Sequence, residues 1–197
     1  MKEMRKIGLF FGFIIFSLSI QSQSNYTLSP DSEMKIFGTS TVSDWSVEVH
    51  ELEGAFELKE DFNMQVGEVI FEDLAFHFPV EKMKSGRGPI MDGKVKKALK
   101  ATEHPLVSYT ATQNQITAIG GKNFDVTSSG ILEVAGVKQE VEVFVHMTYS
   151  ENMASFSGEG STDLTMSMFS VEKPTAFFGE LKTMDELNIT FNLKFSK

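Results

Sequence analysis

Seven basic side chains lie within residues 82–100, and their types and spacing are suited to binding an anion. They are Lys82, Lys84, Arg87, Lys94, Lys96, Lys97 and Lys100, and Asp92 is the one acidic residue in that stretch. Ammonium and guanidinium groups bind phosphate or pyrophosphate through charge-assisted hydrogen bonds. The pattern fits two interpretations: an anion site, with Arg87, Lys94, Lys97 and Lys100 as its candidate residues, or a solvated, lysine-rich helix face.

The same stretch contains a near match to a nucleotide-binding loop. Residues 88–94 read GPIMDGK, which has the spacing G-x-x-x-x-G-K. Such a loop needs Ser or Thr at the next position to hold magnesium, and this chain has Val95 there. Pro89 also removes a backbone donor that would face the phosphates. Nucleotide binding is therefore not expected here.

Residues for metal binding or covalent catalysis are sparse in the sequence. The chain has no Cys, and its four histidines form no H-x-x-x-H pair, so no metal site is expected. There is no G-x-S-x-G nucleophile elbow. Glu140 and Glu142 alternate onto one face of a predicted strand, which is typical of a solvated face rather than an acid/base pair. We expect neither an enzyme nor a cofactor.

Apolar and polar residues alternate along most of the chain, as in half-buried β-strands. The clearest run is 187–195, and a hairpin is predicted over 130–149 with its turn at 135–138. Along 45–58 the alternation changes phase after Val49, which predicts a bulge or bend. Further runs at 74–80, 107–111 and 156–164 bring the total to about eight strands.

One helix interrupts this β pattern, and it carries most of the basic cluster. It is predicted near residues 89–101, with Pro89 in the first turn and with Met91, Val95, Ala98 and Leu99 on one apolar face. His104-Pro105 ends it. The expected fold is all-β: an antiparallel eight-stranded barrel with this one short helix inserted. Closure removes the sheet edges, and such a barrel is either filled by side chains or holds one small ligand.

The N-terminus has the pattern of a secretory signal peptide over residues 1–24. Lys2, Arg5 and Lys6 precede the apolar run 7–20, and no lipobox Cys follows it. An uncleaved anchor is the alternative. We expect a periplasmic or secreted protein with one domain, residues 25–197. That domain has 15 basic and 26 acidic residues, a net charge of −11, which disfavours nucleic-acid binding.

Four segments, taken in order, resemble the YceI-like family of lipocalin-like, lipid- or polyisoprenoid-binding bacterial proteins. They are 38–45 (GTSTVSDW), 96–109 (KKALKATEHPLVSY), 130–138 (GILEVAGVK) and 185–189 (DELNI). Ser43 stands where some members have His, so no histidine role is carried over. The resemblance implies a lipocalin-like antiparallel barrel with an apolar lumen, a helix near one opening and no catalysis. In members with a known ligand, an isoprenoid chain fills the lumen.

Two functions from different classes remain open. The first is a non-catalytic carrier of an isoprenoid or fatty-acyl-type lipid, without stable membrane insertion. Its candidate lumen residues are Phe56, Phe76, Phe78, Tyr109, Leu132, Val134, Phe144 and Phe191. Phe144 is out of phase with the valines of its strand, so a partner-facing position is its alternative. The second is an envelope module, linked to stress, with a filled core that acts through its surface. A homodimer is compatible with either.

Overall fold

Alternating residues form twelve β-strands within residues 25–176 and 181–197, the part of the chain that the computed structural model describes. The predicted signal peptide, residues 1–24, lies outside the described residues. The strands are β1 (Asn25–Leu28), β2 (Glu33–Ser40), β3 (Trp45–Val49), β4 (Glu53–Leu58), β5 (Phe71–Pro79), β6 (Met83–Lys84), β7 (Leu106–Gly120), β8 (Asn123–Val134), β9 (Val137–Tyr149), β10 (Ser155–Thr165), β11 (Thr175–Ala176) and β12 (Leu181–Ser196). The α-helix is α1 (Pro89–Ala98), and three short 3-10 helices span Val80–Lys82, Glu151–Met153 and Ser167–Phe169.

Eight of these strands close into a barrel, as the sequence predicted. Around the ring the order is β1-β4-β5-β7-β8-β9-β10-β12, and all pairs are antiparallel. Pairing of Leu28 in β1 with Phe195 in β12 closes the ring. Strands β2, β3 and β6 extend the wall, because β2 pairs with β12, β3 with β2, and β6 with β3.

The change of alternation phase along 45–58 corresponds to a break between β3 and β4. Val49 ends β3, Glu53 begins β4, and Glu51 between them has φ +55°. The break lets Val49 and Phe56 both point inward, although they are separated by an odd number of residues. The predicted bend is confirmed.

The helix begins at Pro89, as predicted, but it ends at Ala98 rather than at 101. Lys100 adopts φ +53° and donates its N–H to the Lys97 carbonyl at 3.1 Å. Ala101 donates to the Lys96 carbonyl at 3.0 Å. These two bonds form a Schellman motif, with a lysine where such motifs usually have glycine.

Lys100→Gly should therefore raise the free energy of unfolding by about 0.5–1 kcal/mol, because glycine adopts the left-handed conformation without a Cβ penalty. Lys97→Gly is the matched control, since it also removes one lysine but lies within α1. It should lower the free energy of unfolding by up to about 1 kcal/mol. Urea unfolding of both variants checks the opposite signs. A loss of stability in Lys100→Gly would contradict this assignment of the helix end.

An aromatic cluster fills one end of the barrel, which we call the aromatic end. Its members come from six strands and are Tyr26, Phe56, Phe71, Phe124, Phe156 and Phe195. The Phe56 ring lies 4.5 Å from that of Phe71 and 4.9 Å from that of Phe195. The Tyr26 hydroxyl donates to the Met153 carbonyl at 2.6 Å, so the one polar group of the cluster is satisfied. These large side chains, all nearly inaccessible, seal that end.

The opposite end of the barrel carries α1, and we call it the α1 end. The β8–β9 turn lies there, with Ala135 at φ +50° and Gly136 at φ +82°, as in a two-residue type I′ turn. β7 begins at this end and β10 finishes there. Within the described residues, no helix has both the length and the hydropathy needed to cross a bilayer.

Candidate functional site

A cavity of about 270 Å³ occupies the barrel between the aromatic cluster and α1. The inward faces of the ring strands other than β1 line it, together with residues of β2, β3 and α1. Phe56, Phe71 and Phe195 of the aromatic cluster form its floor. Its volume is near the lower limit of small-molecule pockets, which span roughly 300–1,000 Å³. The barrel is therefore not completely filled by its own side chains.

The lining of this cavity is almost entirely apolar. Among the described residues that line it, none is charged, and hydroxyls are contributed by Tyr109, Ser128, Thr162 and Thr165. The indole N–H of Trp45, also in the lining, donates to the Thr39 carbonyl at 3.1 Å. Such a surface gains free energy by contact with methylene and methyl groups and gives no compensation for a buried charge.

The cavity opens toward the α1 end. Leu132, Val134, Leu164 and Leu187 lie near that end and face inward, yet each is only half-buried. Nearer the floor, Phe56 and Phe76 are buried. These half-buried lining residues indicate an opening beside the helix, while Phe78, Val107 and Val141 of the same end are buried.

The apolar face of α1 covers part of this opening. Val95, Ala98 and Leu99 line the cavity, which agrees with the predicted apolar face. Asp92 in the first turn accepts hydrogen bonds from the Ser85 backbone N–H at 2.8 Å and from the Ser85 hydroxyl at 2.7 Å. These bonds hold the pKa of Asp92 below its usual range, so the carboxylate stays charged at neutral pH. The start of α1 is thereby fixed to the preceding loop.

A second carboxylate fixes the 3-10 turn on another side of the opening. Asp185 of β12 accepts bonds from the Ser167 hydroxyl at 2.5 Å and the Ser167 backbone N–H at 3.1 Å. The hydroxyl bond is the main reason that the pKa of Asp185 lies below its usual range. This turn positions Phe169, which is buried and lines the cavity.

Seven of the eight candidate lumen residues line the cavity: Phe56, Phe76, Phe78, Tyr109, Leu132, Val134 and Phe191. Glycines on the neighbouring strands make room for some of the rings. A Cβ on Gly54 would lie 2.3 Å from the Phe76 ring, and one on Gly160 would lie 2.7 Å from the Phe191 ring. Gly160, in the run where the sequence pattern predicted a strand, thus allows Phe191 to lie flat against the wall.

The lumen position proposed for Phe144 is wrong. Its side chain is 64% exposed on the outer face, opposite Thr127 of β8 and Ser161 of β10. The reason is strand periodicity: Val143 and Val145 point into the cavity, so the residue between them must point outward. The alternative, a partner-facing position, is compatible with this exposure.

The four candidate anion-binding residues lie at the α1 end but do not converge on one point. Arg87 donates from Nη2 to the Asp44 carbonyl at 2.6 Å, and Lys94 donates from Nζ to the Thr175 carbonyl at 3.3 Å. Lys97 and Lys100 are exposed. None of the four lines the cavity. They are located outside the opening, where only the polar end of a ligand could reach them.

The other three lysines of the basic cluster have acidic partners. Lys82 pairs with Glu51 at 2.6 Å, Lys84 with Asp92 at 3.5 Å, and Lys96 with Glu81. The positive potential at this end is therefore smaller than the sequence count of seven implies. Elsewhere, among residues 25–176 and 181–197, no three His, Asp or Glu side chains come together as metal ligands would.

Two cavity features could not be found from the alternation pattern alone. Met34 and Ile36 of β2 line the cavity, although the sequence reading assigned no strand there. Val171 and Pro174 approach it from a segment without regular structure. The valine run of β9 did carry a usable signal, because the predicted inward face of that strand is the face that lines the cavity.

Two of the segments quoted for the sequence resemblance pack against each other. The His104 ring lies directly over Gly136 in the β8–β9 turn, where a Cβ would approach the imidazole to 2.5 Å. The chain leaving α1 is therefore docked on the hairpin. The segment 38–45 forms a similar contact, since a Cβ on Gly38 would lie 2.2 Å from the Trp45 ring.

No family model matches this sequence, and no curated protein matches it. Solved structures do match. BcnA of Burkholderia cenocepacia has 16% identity and a TM-score of 0.61, covering 83% of this chain and 95% of its own. A polyisoprenoid-binding domain from Saccharophagus degradans, implicated in plant cell wall breakdown, has 11% identity and a TM-score of 0.64, covering 87% and 97%.

The YCEI protein of Campylobacter jejuni extends the match to the full length of both chains. It has 14% identity and a TM-score of 0.57, covering 100% of this chain and 99% of its own. At such identities the likeness establishes the fold. The closed eight-stranded barrel with one short helix, seen in the described residues, is thus the fold of the YceI proteins.

Proposed function

We propose that this chain is a YceI-like binding protein that holds one amphiphilic lipid, with the apolar chain of the lipid in the barrel cavity. The observation that carries the proposal is the continuous apolar cavity, sealed at the aromatic end and open beside α1. The same fold in a polyisoprenoid-binding domain supports it. No catalytic step is included, since the cavity is lined by apolar side chains and hydroxyls.

The ligand class follows from the lining. Each methylene transferred from water into the cavity contributes about 0.8 kcal/mol, so an isoprenoid or fatty-acyl chain is favoured. The described residues of the lining include no charged group to pair with an ionised headgroup, which would lose its hydration there. We place the headgroup outside the opening, within reach of Arg87, Lys94, Lys97 and Lys100.

The location we propose is the periplasm or the extracellular space, with residues 1–24 as the signal peptide. The support is the basic start of the sequence and the apolar run that follows it. A carrier in that compartment would keep an apolar chain out of water between membranes, without inserting into either one.

Native mass spectrometry of the protein purified from its own host tests the function directly. We expect an additional mass equal to one lipid, which is lost when the protein is delipidated and regained on incubation with a prenyl alcohol. A clean apo mass, together with no uptake of any chain lipid, would contradict the proposal.

The headgroup position is tested separately by a triple substitution, Lys94→Glu, Lys97→Glu and Lys100→Glu. We expect affinity for a prenyl phosphate to fall by about tenfold at low salt, because three positive charges near the phosphate become negative. Affinity for the corresponding prenyl alcohol should stay within twofold, and this uncharged ligand is the internal control. Unchanged binding of the phosphate would refute the headgroup position.

The exposed position of Phe144 favours a second candidate, an interaction module that acts through the outer surface of the barrel. Asp125 and His146 flank it, with their side chains 2.6 Å apart. Such a module would bind a partner or a second copy of the chain and would take up no lipid. Loss of that association in Phe144→Ser, with lipid uptake absent in the unmodified protein, would favour this candidate over the carrier.

A further inference from the structure

Two of the four hydroxyl residues in the described lining of the cavity form a buried pair. The oxygens of Tyr109 and Ser128 lie 2.8 Å apart, and each can donate to the other. The two residues are 7% and 4% exposed, and both line the cavity. Thr162, another hydroxyl residue of the lining, is half-buried.

The hydrogen count of this pair leaves one donor unused. Two hydroxyls have two hydrogens, and their mutual bond uses one of them. Neither oxygen has another hydrogen-bond partner within the described part of the chain. Burial raises the pKa of Tyr109, so the phenol keeps its hydrogen at neutral pH. One hydroxyl hydrogen therefore remains without an acceptor, in a place where an unmade hydrogen bond is costly.

A water molecule would be a poorly held acceptor for this unused donor. A buried water is normally held by two to four polar partners. Apolar side chains are close to the pair: the Phe76 ring centroid lies 6.3 Å from that of Tyr109, and Val143 is the β9 neighbour of Ser128. Its β7 neighbour is the buried Asn114, whose amide is already bonded to the backbone N–H and carbonyl of Phe71. An acceptor oxygen carried on an apolar ligand would satisfy the donor without bringing water into the cavity.

The pair is located well inside the barrel. Ser128 lies near the middle of β8, which runs from the aromatic end to the rim at Val134. Six residues of tilted strand place it roughly 15 Å below that rim. A headgroup outside the opening could not reach this depth, so the acceptor must be a second polar atom within the apolar part of the ligand.

We infer that Tyr109 and Ser128 form a polar subsite for a neutral acceptor oxygen, such as a carbonyl, carried along or at the inner end of the apolar chain of the ligand. The inference rests on the proposed function, since it concerns the same cavity. It narrows the ligand class from any apolar chain to chains that carry an internal neutral oxygen. A plain hydrocarbon chain would leave the donor unpaired, which is how a hydrogen-bonding site discriminates against an analogue that lacks the polar atom.

The test compares pentadecane with its mid-chain ketone and with the methyl ketone of the same length, by displacement of a fluorescent naphthylamine probe. The variants are the unmodified protein and the double variant Tyr109→Phe/Ser128→Ala. Both substitutions are needed, because either hydroxyl left alone could still donate to the ketone. Thr127→Val is the matched control, since it removes a hydroxyl from the outer face of β8, one position from Ser128.

We expect one of the two ketones to bind the unmodified protein at least tenfold more tightly than it binds the double variant. Pentadecane affinity should change less than threefold, and Thr127→Val should resemble the unmodified protein. The infrared carbonyl stretch of the bound ketone should lie at a lower frequency in the unmodified protein than in the double variant. This spectral shift requires a hydrogen bond, so a merely structural role of the pair would not produce it.

The outcomes separate the inference from the function on which it rests. If all three chains bind and the double variant changes neither the ketone preference nor the carbonyl stretch, the subsite is refuted and the carrier function stands. If no chain binds the unmodified protein, the proposed function fails and the inference fails with it.

Discussion

Val143→Trp is expected to reduce lipid affinity by about 100-fold while the barrel still folds. Val143 lies on β9, faces inward and is half-buried because its exposed part meets the cavity. An indole at this position would occupy the space of about three or four methylenes of the ligand. Their exclusion costs about 3 kcal/mol of binding free energy, which corresponds to roughly 100-fold in Kd. Titration with a fluorescent chain lipid measures the loss.

The adjacent residue provides a matched control for this substitution. Phe144→Trp adds an indole one position along the same strand, but its side chain points to solvent. It should leave lipid affinity within twofold. Equal effects of the two substitutions would mean that the apolar ligand does not occupy the cavity, and tight binding by Val143→Trp would lead to the same conclusion.

Phe56→Ala is expected to have the largest effect on stability, lowering the free energy of unfolding by about 3–5 kcal/mol. Phe56 is 1% exposed and lies at the centre of the aromatic cluster. Its ring is stacked at 5.0 Å on Tyr26 and lies 5.6 Å from Phe156. Its removal would leave a cavity surrounded by rings that the strands hold apart, so little collapse is expected. Urea unfolding followed by intrinsic fluorescence gives the value.

Phe144→Ala is the control for the stability prediction as well, because it removes the same side chain from the outer surface. We expect a change within about 0.5 kcal/mol. A loss below 1 kcal/mol in Phe56→Ala would indicate that the aromatic end is loosely packed, and the cavity would then have a second route to solvent.

Much of the barrel could be predicted because strand periodicity is local. Alternation between Leu187 and Phe195 identifies a strand and the side of it that is buried, whatever the partner strand is. The break after Val49 could be predicted for the same reason. The apolar residues stand at odd-numbered positions before it and at even-numbered positions after it. Seven lumen positions followed from these two signals and from the aromatic content of the strands.

What could not be predicted depends on contacts between distant residues. The pairing of β1 with β12 joins the two ends of the described chain and leaves no local pattern. Nothing in the sequence near Lys100 indicates that it takes a left-handed conformation, because glycine is the usual residue there. The ion pairs of the lysines could not be predicted either. Glu51 pairs with Lys82, and Glu81 pairs with Lys96 on α1.

The contact between Tyr109 and Ser128 could not be predicted for a different reason. Both residues lie on inward faces by periodicity, but a Tyr and a Ser 19 positions apart give no sign of contact. The antiparallel register of β7 and β8 brings them within hydrogen-bonding distance. Only this register reveals that one hydrogen has no acceptor.

The aromatic end has a consequence for the kinetics of ligand exchange. A barrel sealed at one end has a single entrance, so the tail of a chain must enter first and leave last. A second molecule cannot push the first one out through the other side. Replacement must therefore proceed by complete departure of the resident ligand, and its rate should not depend on the concentration of the incoming one. A donor or acceptor membrane can accelerate exchange only by acting at the entrance beside α1.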